Sequence, residues 1–493
     1  WAVTLGLTPI VIALFQQVSL VSPLANAIAI PVVSLGVVPL TLVGLTLPVD
    51  TVLALAAVLV LALDPWAILA PGFWLSFGAV ALIMYVSLGR LSRPGWLTNW
   101  ARVQWAVTLG LTPIVIALFQ QVSLVSPLAN AIAIPVVSLG VVPLTLVGLT
   151  LPVDAVLALA AELMALCNLL LQQLSALPEA VWQQHAPPWW SLPVAAGGVV
   201  WMLAPRGFPA RWVGAAALLP LVLVPRERPA AGEAWVDVLD VGQGLAAVVR
   251  TTNHVLLYDA GPAFSRDADS GSRIVVPHLR ASGVARLDGL IVTHDDIDHT
   301  GGVASVLEAL PAAWVASSLP GHDPRLAGAR ERLQCRAGQR WAWDGVVFEM
   351  LHPRTEDYNR ARSNDNDRSC VLRVAAAGGS ILLTADIERG AEHMLTERAG
   401  DALRSDVLVV PHHGSNTSST DAFLESVRPS MALIPVGYRN RFGHPAEEVL
   451  ARYARLGIES YRTDADGALL LRLAATRRLS AWRRVQPRYW HGR

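Results

Sequence analysis

The chain contains no lysine: all 38 of its basic residues are arginine, balanced by 38 Asp and Glu. That absence excludes Schiff-base chemistry and any phosphate site built on a lysine ammonium, and an all-arginine usage fits a GC-rich genome. Cysteine is nearly absent as well. Cys167, Cys335 and Cys370 are scattered and form no CxxC pair, so the spacing indicates neither a cysteine zinc knuckle nor a disulfide framework. The third scarcity is charge in the first half. Residues 1–225 hold ten charged side chains, whereas the remaining 268 residues hold 66.

A segment that poor in charge, carrying runs such as "AVTLGLTPIVIALF" and "GFWLSFGAVALIMYVSLG", reads as membrane-spanning, because about 20 apolar residues cross a bilayer. Interruption by Pro, Gly and Ser is tolerated there, since neighbouring groups take up the freed backbone bonds. We therefore assign 51–228 to a polytopic α-helical membrane domain, with helices expected at 106–122, 129–150, 155–176, 190–205 and 212–224. The loop 90–104 carries Arg90, Arg93 and Arg102 without an acid and should face the cytoplasm. Five crossings then place the following domain outside the cytoplasm, although Arg226 and Arg228 pull the other way. Gln16 and Gln17, Gln120 and Gln121, with Asn130 and Glu162 nearby, are the polar groups of these spans. They line a path for a polar polymer or serve as helix–helix contacts.

Residues 1–50 recur without a change at 105–154. Structural repeats keep their shape while their sequences drift. Identity over the whole stretch therefore means a very recent duplication or a gene assembled from overlapping pieces. We expect the second, so that 1–50 adds no native helices. The start at Trp1 rather than Met leads us to expect further chain before it.

From about 233 the pattern changes to short alternating runs: "AWVDVLDVG", "LAAVVRT", "HVLLYDAG", "LDGLIVTHDDIDH", then "SCVLRVAA", "SILLTADIE", "DVLVVPHHGS" and "MALIPVGYRNRFGHP". Each apolar run ends in polar residues, as strands do when they deliver side chains to one edge of a sheet. Helical stretches such as "AEHMLTERAGDAL" and "PAEEVLARYARLG" lie between them, which implies layered α/β packing. Four segments bring imidazoles and carboxylates to similar strand ends: His294, Asp296, Asp298 and His299; Asp386; His412 and His413; His444. One such end alone is equally a helix cap or a surface turn. Four together call for divalent cations to neutralise them.

These residues resemble the metallo-β-lactamase superfamily and, within it, the soluble domain of the ComEC family of DNA-uptake (competence) proteins. The superfamily signature H-x-H-x-D-H reads H-D-D-I-D-H here, with Asp296 at the second ligand position. "DVGQG" at 240–244, "YDAG" at 258–261, "NDRSCVL" at 366–372, "TADIE" at 384–388, "PHHGS" at 411–415 and "FGHP" at 442–445 follow that branch in order. "DPWAILAPGFWLSFGAVALI" at 64–83 and "FQQVSLVSPLANAIAIP" resemble its membrane competence domain. The resemblance implies a soluble α/β metallo-β-lactamase-like domain, an αββα sandwich, over 233–475. Leu245 stands where many members have Asp and Ala385 where Gly is common; neither position should hold metal. No histidine stands between the first motif and Asp386 where the superfamily's hydrolases place one; Asn366, Asp367 and Ser369 occupy that region.

By this resemblance two divalent ions, Mn²⁺ or Zn²⁺, would bind. His294 and Asp296 hold one; Asp298, Asp386, His444 and His299 hold the second, with Asp386 bridging. Two cations would activate a shared water for in-line attack on a phosphodiester. His412 or His413 would protonate the leaving oxygen, or would fill the ligand position left weak by the missing histidine. The implied role is a multi-pass channel of the bacterial inner membrane that imports single-stranded DNA, with the hydrolase degrading the other strand outside the cytoplasm. Its implied partners are single-stranded DNA, membrane lipid, other uptake proteins and, in a homo-oligomer, further copies of the chain. Two alternatives stand beside it: a membrane-anchored hydrolase of other phosphoesters without transport, and a degenerate domain that only shapes the entrance. The end of the chain, 476–493, reads as a basic aromatic tail. Its arginines, with Trp482, Tyr489 and Trp490, suit nucleic acid or anionic lipid alike.

Overall fold

The computed structural model describes residues 49–87, 95–151, 154–177, 180–205, 207–359 and 364–488. The repeat copy at 1–50 lies, apart from its last two positions, outside the described residues, as do Tyr489 and Trp490. The chain divides into two units, 1–225 and 226–493, close to the break expected from the charge distribution.

The first unit is helical: α1 (Val49–Leu63), α2 (Pro71–Ser87), α3 (Trp96–Phe119), α4 (Ser126–Thr150), α5 (Asp154–Ser175) and α6 (Ser191–Leu203). Three of them, α3, α4 and α5, are long and apolar enough to cross a membrane. Proline lacks an amide hydrogen and loosens the helical ladder. In α4 the ladder widens to a π turn over Val136–Val141, between Pro135 and Pro143.

Three expectations for this unit need correction. The helix expected at 106–122 begins at Trp96, so Arg102 lies within α3 rather than in a loop. It ends at Phe119, where Gln120 turns left-handed at φ 55°. Gln121 then opens a short strand, β1 (Gln121–Ser123), paired antiparallel with β2 (Val181–Gln183). The glutamines therefore sit at a helix end, where the Gln120 side-chain Nε2 donates to the Ala117 carbonyl at 2.7 Å. The spans expected at 190–205 and 212–224 are too short to cross: α6 has 13 residues, and the second is two single turns, Val213–Ala216 and Pro220–Leu223. Pro220 withholds the amide that would join those turns.

The second unit is a sandwich. β3 (Ala234–Val238), β4 (Ala247–Arg250), β5 (Val255–Tyr258), β6 (Leu287–Val292), β7 (Ala312–Ser317) and β8 (Glu331–Gln334) build the first sheet. β9 (Arg340–Trp343), β10 (Val346–His352), β11 (Val371–Ala376), β12 (Gly379–Leu383), β13 (Val407–Val409), β14 (Met431–Ile434) and β15 (Glu459–Arg462) build the second, in that spatial order. β16 (Leu469–Leu473) and β17 (Arg478–Ala481) return to the first, whose order is β8-β7-β6-β5-β4-β3-β16-β17.

The period-two alternation decides which face of each strand goes where. Val236, Val249, Leu256 and Tyr258 meet Phe348, Leu372, Ile381 and Leu433 in the layer between the sheets. The intervening Val248, Leu257 and Leu290 face α7 (Val276–Ala281) and α8 (Val303–Ala309). Leu382, Leu408 and Ala432 face α9 (Arg389–Ala399), α10 (Asp421–Val427) and α11 (Glu447–Arg455). Helix, sheet, sheet and helix layers result: the expected αββα sandwich. One polar residue breaks the alternation. Asp237 of β3 is fully buried and bonded to Arg250 (2.9 Å), Arg472 (2.7 Å) and His278 (3.2 Å). Burial works to raise its carboxyl, but these partners hold it well below the carboxylate range.

Two further expectations meet the structure here. Cys335, just after β8, and Cys370, just before β11, form a disulfide. At a separation of 35 positions the spacing carried no signal; the pairing depends on two sheets stacking. The segment set apart as a tail from 476 is continuous with the sandwich as far as α12 (Trp482–Val485). β17 extends the first sheet against β16, Arg483 bonds Asp240, and Arg484 bonds Asp466. Arg483 and Arg484 thus have carboxylate partners that were distant in the sequence.

Candidate metal centre

All the candidate ligands follow strands with parallel neighbours, where loops leave the carboxyl ends of several strands together. In the first sheet β5 and β6 run parallel; in the second, β12, β13 and β14 do. β6 leads into His294 and Asp296 and a single turn, Ile297–Thr300, that carries Asp298 and His299. Asp386 follows β12. His412 and His413 follow β13, both left-handed at φ 49° and 53°. Such backbone costs roughly 1–2 kcal/mol per residue and survives where the surroundings impose it, often at functional sites.

Asp298, His299, Asp386 and His413 each offer a ligand atom within 4.8 Å of the other three. His299 Nε2 lies 3.1 Å from Asp386 Oδ1; His413 Nε2 lies 3.2 Å from Asp298 Oδ2 and 3.3 Å from Asp386 Oδ2. His294 stands beside the group, its ring 4.2 Å from that of His299, with Asp296 Oδ2 at 3.5 Å from its Nε2. On the opposite side His412 Nε2 is 3.8 Å from Asp386 Oδ2, and the ring of His444 is 5.7 Å from that of His412.

The buried Nε2 atoms of His294, His299 and His413, Nδ1 of His444 and Oδ1 of Asp386 make no hydrogen bond of acceptable geometry. Orphaned buried polar atoms are costly. Three of them, on His299, His413 and Asp386, belong to the tight group, with those of His294 and His444 flanking it; such a cluster fits a divalent cation, and the mixed carboxylate and imidazole donors suit one. Electrostatics agree. Burial tends to raise the Asp386 carboxyl, yet His299 and His413 hold it far below its ordinary range. Burial tends to lower His413, yet Asp386 and Asp298 push it up to about 9. Without a cation His299 and His413 would carry protons that a metal replaces.

Residues behind the ligands aim them. Asp259, at the end of β5, accepts from the backbone N–H and hydroxyl of Thr293 and from His299 Nδ1 at 2.7 Å. The Pro435 carbonyl takes the Nδ1 proton of His413 at 2.7 Å. Each leaves Nε2 facing the centre, the arrangement that fixes a ligating imidazole. Asp259 is not among the eight ligand candidates of the sequence, although "YDAG", an acid ending an apolar run, carries the signal. Pro435 had none, because a backbone carbonyl is invisible in residue identity. Gly244 of "DVGQG" is another support. It adopts φ 139°, and a Cβ there would collide with the Asp298 carbonyl oxygen. Leu245 and Ala385 are core residues.

The structure brings together all eight residues that the sequence singled out, but draws the tight group differently. His413, considered as a proton donor or substitute ligand, sits within it, buried beside Asp298 and Asp386, whereas His444 stays farther out. Where the extra histidine was missing, Ser369 Oγ lies 3.3 Å from His294 Nδ1. Asp367 accepts from the backbone of Glu388 and Ala391 at the start of α9. That segment orients its neighbours instead of pointing a ligand inward.

The Competence protein family matches residues 1–50 and 47–208, and the metallo-β-lactamase superfamily matches 239–437. Competence protein ComA of Neisseria gonorrhoeae is 39% identical over 437 residues, 89% of this chain and 60% of its own length. An uncharacterised protein of Escherichia coli, YcaI, is 33% identical, covering 89% of this chain and 58% of its own length. Recombination protein 2 of Haemophilus influenzae is 29% identical, covering 80% of this chain and 54% of its own. The chain thus spans a little over half the length of these relatives. A charge-poor helical unit matching a competence domain, followed by a sandwich with clustered acids and histidines at its strand ends, makes this chain a homologue of the ComA/ComEC competence proteins, a competence domain joined to a metallo-β-lactamase domain.

Proposed function

We propose that the chain serves DNA uptake: its helical unit conducts single-stranded DNA across the bacterial inner membrane, and its sandwich hydrolyses phosphodiester bonds of the strand that is not imported. The observation that carries the hydrolytic part is the convergence of unsatisfied ligand atoms on one spot. The helices of bilayer length and the competence relatives support the transport part.

Asp298, His299, Asp386 and His413 would hold one divalent ion, Mn²⁺ or Zn²⁺. His294 and Asp296 on one flank, or His412 and His444 on the other, would complete a second position, with Asp386 between them. When bound, such ions supply an activated water and stabilise charge on a phosphoryl oxygen. This chain's own residues do the rest. Asp259 and the Pro435 carbonyl hold the imidazoles in the ligating tautomer. Burial of Asp386 and His413 keeps bulk water from competing for them. His412, mostly buried and tied to Glu388 and Thr417 through Nδ1, faces the centre through Nε2 and, as an imidazolium, would give the leaving oxygen a proton from that atom. The Cys335–Cys370 disulfide supports an oxidising, non-cytoplasmic location for the sandwich.

A second reading has one observation in its favour: the segment 366–369 contributes no imidazole, which suits a non-catalytic domain. The test is hydrolysis of labelled single-stranded DNA by the full chain in detergent, metal-stripped and then given Mn²⁺ or Zn²⁺ singly. We expect cleavage with one of them and none with Asp298→Asn. Equal cleavage by both proteins removes the site from the chemistry, and no cleavage with any metal leaves the non-catalytic reading.

A further inference from the structure

The sandwich buries its large apolar side chains, with few exceptions among the described residues. Two of those exceptions lie four positions apart in one loop: Tyr438 is 67% exposed and Phe442 is 55% exposed. The loop runs from β14 to His444, so it forms part of the rim of the metal centre. The ring of Phe442 lies 5.8 Å from that of His444, nearly parallel at 26°.

Each exposed ring carries an arginine. The Arg439 guanidinium sits 5.2 Å from the centre of the Tyr438 ring, and that of Arg441 sits 4.8 Å from the centre of Phe442. Among the described residues neither arginine is paired with a carboxylate, unlike Arg483 and Arg484 at the end of the chain. Both positive charges therefore remain free for an anion.

The loop is also held in shape. Asn440 at its centre donates through Nδ2 to the carbonyls of Gly437 (3.1 Å) and His444 (2.6 Å). Its Oδ1 accepts from the backbone N–H of Phe442 (3.2 Å) and His444 (3.0 Å). At the loop's start the Gly437 N–H donates to Gln243 Oε1 (3.2 Å), which ties the loop to "DVGQG". Most of the inner polar valences go to fixing the loop, while its aromatic and cationic side chains are left outward. Holding an apolar ring in water costs free energy unless something covers it.

We propose that Tyr438 and Phe442 form a base-stacking platform for single-stranded nucleic acid at the edge of the metal centre, with Arg439 and Arg441 taking the adjacent phosphates. The chemistry favours this occupant over a small phosphoester. A small substrate needs cations and ligands but no aromatic face beyond the reacting phosphate. A strand with unpaired bases offers π faces and phosphates in alternation, as this loop offers rings and guanidiniums. Base stacking on an aromatic side chain is sequence-tolerant, because every base has a π face. The proposal rests on the phosphodiester reading of the site and deepens it by naming how the strand is gripped.

The test measures binding without cleavage, on the metal-stripped full chain in detergent micelles. Fluorescence anisotropy compares a labelled oligothymidylate with an abasic oligomer of the same length and charge. The wild type should bind oligothymidylate about tenfold or more tightly than the abasic strand. Tyr438→Leu combined with Phe442→Leu, which keeps apolar bulk but removes π faces, should bring oligothymidylate down to the abasic level and leave abasic binding unchanged. Tyr438→Phe with Phe442→Tyr should retain the preference, which separates stacking from loop integrity. Equal affinity of the wild type for both oligomers overturns the proposal. So does a leucine variant that keeps the preference, or one that loses both oligomers equally. If the leucine variant instead loses binding only to anionic lipid vesicles, the rings face a membrane and the proposal falls. Because no metal is present, each of these failures leaves the hydrolytic reading untouched, and that reading stands or falls on DNA cleavage alone.

Discussion

Leu139 in α4 is 80% exposed within the helical unit, and nearly every leucine of the sandwich is buried. The same side chain thus follows opposite rules in the two units. A helix satisfies its backbone internally, so in lipid it can present leucine outward at no cost. A sandwich in water must hide leucine between layers, and Tyr438 and Phe442 are among its few large apolar side chains left exposed. Polar residues show the reverse contrast. In the first unit Gln120 and Gln121 lie at a helix end, and Glu162 is exposed within α5. In the second, Asp237, Asp259 and Asp386 are buried, each surrounded by partners.

The largest effect should come from emptying the metal centre of charge. Asp386→Asn keeps the shape but removes the carboxylate next to His299, His413 and His412. We expect at least about a 10- to 100-fold loss of metal affinity, measured by competition with a chelating dye, and hydrolysis below detection. Retained affinity would mean that the acids serve the fold, as Asp237 does.

Next comes Asp237 itself. Asp237→Asn leaves two arginines and a histidine facing a neutral group and should cost about 3–5 kcal/mol in denaturant unfolding of the sandwich. Because its folded carboxyl is depressed, its stabilisation is present above the unfolded value of about 4 and is lost as pH falls through the lower folded value. The wild-type sandwich should therefore weaken below about pH 4, and the variant should show a shallower acid dependence. Identical acid profiles would count against this ion cluster.

A paired substitution probes the contrast between units directly. Leu139→Arg places a charge on a face meant for lipid and should cost roughly 2.5–3.5 kcal/mol of insertion, read as lost membrane fractionation. Leu456→Arg, at the exposed end of α11, should stay within about 0.5 kcal/mol. Equal tolerance would mean that α4 does not face lipid. The smallest effect is expected of Arg484→Ala. Asp466 keeps its hydrogen bond from the Arg462 backbone N–H, and the arginine side chain is 68% exposed, so the thermal midpoint should hardly move, in keeping with a loss of at most about 1 kcal/mol.

Much of this was legible in the residue order. Scarcity of charge before 225 marked the helical unit, because lipid tolerates few ions. The period-two runs around 234–258, 287–292, 379–383 and 407–409 marked the strands of the sandwich centre, and the histidines and acids just after them marked the site. Less legible were the edges. β8, "ERLQ", is exposed along its length and has no alternation to read, since a polar edge strand needs to bury neither face. β17 and α12 looked like a loose tail, because their carboxylate partners Asp240 and Asp466 lie in other segments.

The sequence by itself therefore determined the two solvents that this chain meets, the strand ends that collect imidazoles and carboxylates, and the family resemblance those ends carry. These depend on local composition and period. Only the tertiary structure decided that His413 rather than His444 completes the tight group, that Asp259 and the Pro435 carbonyl aim the imidazoles, and that Cys335 meets Cys370. It alone put Tyr438 and Phe442 on the rim. Each of these is a meeting of segments tens of residues apart, set by strand order and sheet stacking, and neither leaves a mark on the local pattern.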